Sequence, residues 1–246
     1  MKPHYLSAAK AFLNEEHSKA KCAFIAGSVT RGEQTATSDI DLVIVYDTDI
    51  LPKAYRNSLI YQGWSIETFV QNENSVAYFF RQDAVSGTPA LINMVACGIM
   101  APENACALNL RKKALDIETA GPFALTAEEI NQRRYAITDA LDDIAAYKTV
   151  SELHGSLCQL RHDLADFYLR ANKKWSGKGK SLVRALQKAF PEISDEYESA
   201  FKEAFNENIR PVSELADRLL MPFGGRLWAG WKSDACDEAN LYSSTL

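Results

Sequence analysis

Several features that would place a protein in a membrane, outside the cell or on nucleic acid are missing from these 246 residues. No apolar run reaches the length needed to span a bilayer, and Met1 to Tyr5 contain no signal-peptide h-region. The five cysteines are scattered and include no Cys-x-x-Cys pair, so neither disulfides nor a zinc site are expected. The net charge of -5, with no basic stripe, argues against a nucleic-acid partner. We therefore expect a cytoplasmic protein that contacts no membrane.

A pair of acids at the start of an apolar strand is the main chemical signal in the sequence. Residues 40–45 form a run of branched apolar residues, which is typical of a buried strand. Asp39 and Asp41 open this run and, with a side-chain period of two, point to the same face. Two like charges at that spacing are unfavourable without a cation between them, and carboxylate oxygens suit Mg²⁺. The pair therefore predicts a magnesium site.

A candidate phosphate-binding turn precedes the acids. Residues 22–26 predict a short buried strand, which Gly27 and Ser28 end just before a helical turn. Glycine allows close approach of a ligand to the backbone, and the free amides of such a turn bind phosphate oxygens. Ser28 adds a hydroxyl and Arg31 a cation, although Arg31 could instead pair with Glu33 or with an aspartate. Amides for phosphate close to carboxylates for a metal indicate a nucleotidyl-transfer site.

These residues resemble the signature of the DNA polymerase beta-type nucleotidyltransferase superfamily. The resemblance covers about residues 20–70 and rests on Gly27-Ser28, Arg31-Gly32 and Ser38-Asp39-Ile40-Asp41-Leu42. Within the superfamily the chain is most similar to the small two-domain bacterial members that include the aminoglycoside and lincosamide nucleotidyltransferases. The resemblance implies two Mg²⁺ ions, a nucleoside triphosphate substrate and nucleotide contacts at Gly27, Ser28, Arg31 and Ser38. It leaves a homodimer open, since some relatives build a site across two chains.

A second Asp-x-Asp pair, Asp47 and Asp49, lies shortly after the same strand. It precedes Pro52 and has no phosphate-binding turn of its own. We interpret it as an ordinary turn, which makes it a useful comparison for the first pair.

Glu67 is the candidate third carboxylate. It is the only ionised residue in the predicted strand 64–70. One interpretation has it reach the same metals as Asp39 and Asp41 from the neighbouring strand, and position a metal or accept the acceptor proton. The other interpretation is an ordinary solvent-facing strand residue. The resemblance supports the first, because the family carries its third acid on such a strand.

The remaining pattern predicts an α+β protein with a boundary at Gly121-Pro122. Residues 1–120 would form the nucleotidyltransferase domain, a small mixed β-sheet with helices at about 6–21, 53–61, 90–100 and 103–119. Residues 121–246 would form an all-α helical bundle, beginning with a capping box at Thr126 and Glu129. Helical stripes of apolar residues recur through this second half, which includes an acidic helix predicted at 195–207.

One residue of the second half is a candidate nucleotide contact. Lys180 follows Gly179 in a basic run and opens a predicted helix, where amide dipoles would add to its charge. A solvated loop between two helices explains the same residues equally well.

The combined features predict Mg²⁺-dependent transfer of a nucleoside monophosphate, most simply AMP from ATP, to a hydroxyl acceptor with release of pyrophosphate. A small-molecule acceptor is the first interpretation. The alternatives are nucleotidylation of a protein side chain, as in antitoxin-type relatives, and a regulatory protein that binds nucleotide without turnover.

Overall fold

A computed structural model describes residues 3–35 and 37–232 of the chain. The chain divides between Phe123 and Ala124 into two compact units. The first contains all the strands among the described residues, and the second is helical. The predicted α+β class is confirmed.

In its described residues, the N-terminal unit combines one sheet with four α-helices. Its elements are, in chain order, α1 (Tyr5–Glu16), β1 (Cys22–Ala26), a 3-10 turn (Ser28–Arg31), β2 (Ile40–Tyr46), β3 (Tyr55–Tyr61), β4 (Trp64–Asn72), α2 (Glu73–Ser86), α3 (Ala90–Cys97), β5 (Ile99–Met100) and α4 (Ala105–Ala120).

The sheet is mixed and has the strand order β3-β4-β2-β1-β5. β2 and β4 run parallel, and the β1–β2, β1–β5 and β3–β4 pairs are antiparallel. The registers place Asp41 opposite Ala26 on one side and Glu67 on the other. The third carboxylate is thus directly beside the second.

The central strand β2 is covered on both faces, which explains its unbroken apolar sequence. Ile40, Leu42 and Ile44 pack with α1 residues on one face. Helices α2, α3 and α4 pack on the strands from the other face, where Cys22 Sγ lies 3.4 Å from Cys106 Sγ of α4. Asp41 alternates with the α1-facing residues and therefore belongs to this second face.

The predicted helix at 53–61 is wrong, because this segment is strand β3. β3 lies at the edge of the sheet and most of its residues are exposed, so it lacks the apolar alternation that marks a strand. A two-residue turn, Gln62-Gly63, joins it to β4, and both turn residues have positive φ (47° and 80°). This is the geometry of a β-hairpin turn, in which glycine is favoured.

Three of the predicted helices differ from the observed bounds by three residues or more at one end at least. α1 ends at Glu16, where the His17 amide closes the last turn on Leu13 and the His17 ring bonds to the Tyr46 hydroxyl at 2.7 Å. The helix predicted at 90–100 ends at Cys97, and residues 99–100 instead form β5. The helix predicted at 195–207 begins at Pro191, a residue well suited to the first helical position.

The C-terminal unit consists of α5 (Ala127–Ala145), α6 (Val150–Ala171), α7 (Lys180–Ala189), α8 (Pro191–Ala204), α9 (Arg210–Leu220) and a 3-10 turn (Met221–Phe223). The predicted capping box of Thr126 and Glu129 begins α5. A continuous core of leucine, isoleucine and phenylalanine side chains joins these helices. Among the described residues, no helix has both the length and the hydropathy that crossing a bilayer requires.

The glycine-rich segment after the last helix packs onto α5. Arg134 donates to the carbonyl oxygens of Gly224 and Gly225 at 2.6 and 2.8 Å. The Leu227 amide donates to the Thr138 hydroxyl at 3.0 Å, and the Trp231 ring stacks on Tyr135 at 3.8 Å. The segment is thus part of the C-terminal unit.

Gly155 offers a direct test of the helical packing. It lies within α6, and a Cβ at this position would meet nothing within 4 Å. We expect Gly155→Ala to stabilise the protein by about 0.5–1 kcal/mol, because alanine loses less backbone entropy in a helix. Gly177→Ala is the control: its Cβ would lie 2.7 Å from the Ser181 carbonyl carbon, so this variant should be less stable than wild type. Urea unfolding of both variants measures the difference, and a destabilised Gly155→Ala would contradict the structure of α6.

Candidate active site

Asp39, Asp41 and Glu67 come together at one end of the sheet. Each offers a carboxylate oxygen, and the three oxygens lie within 4.8 Å of one another. Strand pairing produces this arrangement: Asp41 and Glu67 are partners in the parallel β2–β4 register, and Asp39 lies two residues before Asp41. All three side chains are half-buried. Three hard oxygen ligands at this spacing match the donors that a divalent cation such as Mg²⁺ prefers.

Burial and repulsion between the carboxylates change the pKa of Asp41. Burial, together with the charges of Asp39 and Glu67, raises the pKa of Asp41 to about 6. The cations of Arg56 and Arg31 oppose this pKa shift without cancelling it. The cluster therefore carries an unfavourable charge that a bound cation would relieve.

Gly27 brings the predicted phosphate-binding turn against this cluster. Its backbone has φ 95° and ψ -172°, a region that only glycine adopts readily. A Cβ added there would lie 2.6 Å from Asp41 Oδ2. The turn and the acid can touch because this position has no side chain.

Hydroxyl groups connect the turn to the strand that carries the acids. Ser28 Oγ donates to Ser38 Oγ at 2.9 Å, and Ser38 Oγ also accepts from the Thr35 amide at 2.8 Å. Thr30 Oγ1 donates to the Gly27 carbonyl at 2.9 Å. The segment from Ser28 to Arg31 forms a 3-10 turn, as the sequence predicted. Both serines of the predicted nucleotide-binding set thus belong to one hydrogen-bonded loop.

The comparison with protein families agrees with this geometry. Residues 6–78 match the sequence model of the nucleotidyltransferase domain family. This segment is a nucleotidyltransferase domain. The match confirms the predicted kind of enzyme and contains all the strands that carry the acidic cluster.

No curated protein matches the chain significantly. Among solved structures, the chain is similar to a nucleotidyltransferase-like protein from Exiguobacterium sibiricum, with 9% identity and a TM-score of 0.46. That similarity covers 89% of this chain and 76% of the other.

Two of the predicted nucleotide contacts, Arg31 and Lys180, are exposed residues. Arg31 is exposed and pairs with Glu33, its Nε lying 3.2 Å from Oε2. Lys180 is exposed at the first position of α7 in the C-terminal unit. Their contacts with nucleotide stay predictions.

Sequence reasoning missed Arg56, which contacts Glu67 directly. Arg56 Nε and Nη2 lie 2.7 and 2.5 Å from Glu67 Oε1, and Ser58 Oγ lies 3.3 Å from the same oxygen. Arg56 and Ser58 belong to β3, the segment that the sequence predicted as a helix. The signal that could have found them is the Gln62-Gly63 turn, which predicts a hairpin and hence places β3 beside β4.

A separate cavity of about 740 Å³ lies between α2 and α4 of the N-terminal unit. Phe80, Leu110 and Phe123 are among its apolar lining residues, and Lys21 and Glu73 are among its charged ones. Lys21 precedes β1, whereas the acids lie beside the opposite end of that strand. This cavity is therefore distinct from the acidic cluster.

The contact between Gly27 and Asp41 predicts a large cost for a side chain. We expect Gly27→Ala to destabilise the protein by roughly 2–4 kcal/mol, from backbone strain plus the steric clash. Gly32→Ala is the matched control, since Gly32 also has positive φ (71°) but nothing lies within 4 Å of its Cβ position. It should cost only about 1 kcal/mol. Equal losses of stability in urea unfolding would show that the clash is absent.

The raised pKa of Asp41 predicts a stability that depends on pH. Without a metal, the folded state holds this proton more tightly than the unfolded state, so stability falls as pH rises from about 4 to 6. Asp41→Asn removes this loss. With chelator at pH 7 we expect it to gain about 1 kcal/mol, or roughly 2–4 °C in Tm, since solvent screens part of the repulsion.

The gain should become small near pH 3, below the ordinary aspartate pKa of 3.8, where wild-type Asp41 is largely protonated in both states. Asp49→Asn, an exposed aspartate in the turn after the same strand, should leave Tm unchanged at both pH values. An Asp41→Asn variant that melts below wild type at pH 7 in chelator would show that the cluster is not repulsive.

Proposed function

We propose that the protein transfers a nucleoside monophosphate, most simply AMP from ATP, to a hydroxyl of a small molecule and releases pyrophosphate. The observation that carries this proposal is the acidic cluster of Asp39, Asp41 and Glu67 against the Gly27-Ser28 turn, within a nucleotidyltransferase domain. In the reaction, the acceptor oxygen forms a bond to the α-phosphorus. The bond from that phosphorus to the bridging oxygen breaks, and pyrophosphate leaves.

The carboxylates would hold Mg²⁺, with Asp39 and Asp41 as the principal ligands. Their donor chemistry fits this ion, because the three oxygens converge within 4.8 Å and carry more negative charge than the neighbouring arginines neutralise. When bound, the metal would supply charge stabilisation to the phosphate oxygens of the nucleotide.

The remaining predicted site residues would have the following roles. The backbone amides beside Gly27 and the hydroxyl of Ser28 would bind the terminal phosphates, with Ser38 holding Ser28 in place. Arg31 would add positive charge at the same turn. Glu67 would complete a second metal site or take the proton of the acceptor hydroxyl. Lys180 would contribute to nucleotide binding from the C-terminal unit.

The test is a transfer assay on the full chain with each α-labelled nucleoside triphosphate, Mg²⁺ and a panel of aminoglycosides and lincosamides. Pyrophosphate release and label on the small molecule are the expected results. Label on a polypeptide would replace the small-molecule acceptor with a protein side chain. Nucleotide binding with no pyrophosphate under any condition would show a regulatory protein and overturn the proposal.

Variants of the two Asp-x-Asp pairs make this test specific. We expect Asp39→Asn and Asp41→Asn to lower kcat at least ~10³-fold, since each removes a ligand whose charge acts in the transition state. Asp49→Asn makes the same chemical change in the turn after β2 and should keep kcat within about twofold of wild type. Equal activity of Asp41→Asn and Asp49→Asn would exclude the acidic cluster from the reaction.

A further inference from the structure

The β3–β4 hairpin places four side chains in a block on one face of the sheet. Ser58 is the register partner of Glu67, and Arg56 is the partner of Phe69. Residues two apart on a strand share a face, so Arg56 and Ser58 lie beside Glu67 and Phe69. Arg56 reaches diagonally across this block to Glu67, a distance that a long side chain can span.

The guanidinium of Arg56 is held at two points although its side chain is 62% exposed. Nε and Nη2 contact Glu67 Oε1 at 2.7 and 2.5 Å. The Arg56 Cζ atom lies 4.9 Å from the centre of the Phe69 ring, within range of a cation–π contact. An ion pair and a ring contact thus both constrain the guanidinium.

All these polar contacts fall on one oxygen of Glu67. Oε1 accepts from Arg56 and from Ser58 at 3.3 Å, whereas Oε2 receives no hydrogen bond from the residues that the structure describes. Glu67 is less exposed to solvent than Arg56, with a side chain 20% exposed. The carboxylate is therefore oriented by one oxygen and has the other available.

We propose that Arg56 is a positioning residue of the active site: it holds Glu67 by Oε1, so that Oε2 serves the cluster with Asp39 and Asp41. The same guanidinium offsets one of the three negative charges. This inference rests on the proposed function for its effect on turnover, but not for its effect on metal binding.

The two roles predict opposite effects when Arg56 is removed. Loss of a nearby positive charge makes the cluster more negative, so a divalent cation should bind more tightly. Loss of the two contacts frees Glu67 to rotate, so transfer should slow even with the metal bound. A variant that is only structurally damaged would bind the cation more weakly and also transfer nucleotide more slowly.

The experiment compares Arg56→Gln with Arg210→Gln. Arg210 makes the same type of contact, Nε to Glu214 Oε1 at 2.7 Å, on an exposed helical surface of the C-terminal unit. Mn²⁺ binding to the nucleotide-free full chain is measured by electron paramagnetic resonance titration. Transfer kinetics are measured with saturating Mg²⁺.

For Arg56→Gln we expect Mn²⁺ to bind about three- to tenfold more tightly, and kcat to fall roughly 10- to 100-fold with the nucleotide KM within about twofold. Arg210→Gln should match wild type in both measurements. Arg56→Lys keeps the charge but not the two-point contact, so its Mn²⁺ affinity should stay within about twofold while kcat falls roughly tenfold.

A double-variant comparison tests whether Arg56 acts through Glu67. In a Glu67→Gln background, adding Arg56→Gln should lower kcat by less than about twofold more, because the carboxylate that it positions is already gone. If Arg56→Gln lowers kcat as much in the Glu67→Gln background as it does in wild type, the positioning role is overturned.

Metal binding separates this inference from the proposed function. If wild type transfers no nucleotide to any acceptor, the proposed function fails, but tighter Mn²⁺ binding by Arg56→Gln would still support the role of Arg56 in the cluster. Affinity equal to or weaker than that of wild type and Arg210→Gln would overturn the inference, whatever the activity. If Arg56→Gln fails to fold, Arg56→Lys tests the inference instead. A kcat of Arg56→Lys equal to that of wild type would contradict the two-point contact.

Discussion

Repulsion among three carboxylates is the constraint on which the candidate site depends. Hydrogen bonding between β2 and β4 forces Asp41 and Glu67 side by side, and the chain direction brings Asp39 to the same place. The cluster is half-buried, so solvent screens the repulsion only in part. Burial and the neighbouring carboxylates therefore raise the pKa of Asp41 to about 6. Without a bound cation, this repulsion lowers the stability of the folded state. Unfavourable arrangements of this kind are common at functional sites.

Two neighbouring features adapt the rest of the domain to this cluster. Gly27 allows the backbone of the turn to approach Asp41 closely. Arg56 lies on the opposite side, where it neutralises part of the charge and orients Glu67. The acids are thus flanked by a turn suited to phosphate and by a fixed guanidinium. Under the proposed function, the metal and the triphosphate would meet on the Gly27 side.

Local patterns in the sequence predicted the parts of the site that are continuous along the chain. The apolar run 40–45 marks a strand that is buried on both faces, and Asp39 and Asp41 follow from the two-residue period of such a strand. The Gly27-Ser28 turn is likewise recognisable, because glycine is required where the backbone turns sharply beside a ligand. In the C-terminal unit, the 3.6-residue spacing of leucines predicted the helices, and Thr126 with Glu129 marked the start of the first one.

The sequence by itself determined the α+β class, the acidic strand and the turn at Gly27-Ser28, because each depends on side chains close together in the chain. Only the tertiary structure decided that Glu67 is the register partner of Asp41 and that Arg56 belongs to the site. Register depends on pairing between distant segments, and β3 is an exposed edge strand with little hydrophobic periodicity to reveal it. The hairpin that folds β3 against β4 is what turns a solvent-facing arginine into a partner of the third carboxylate.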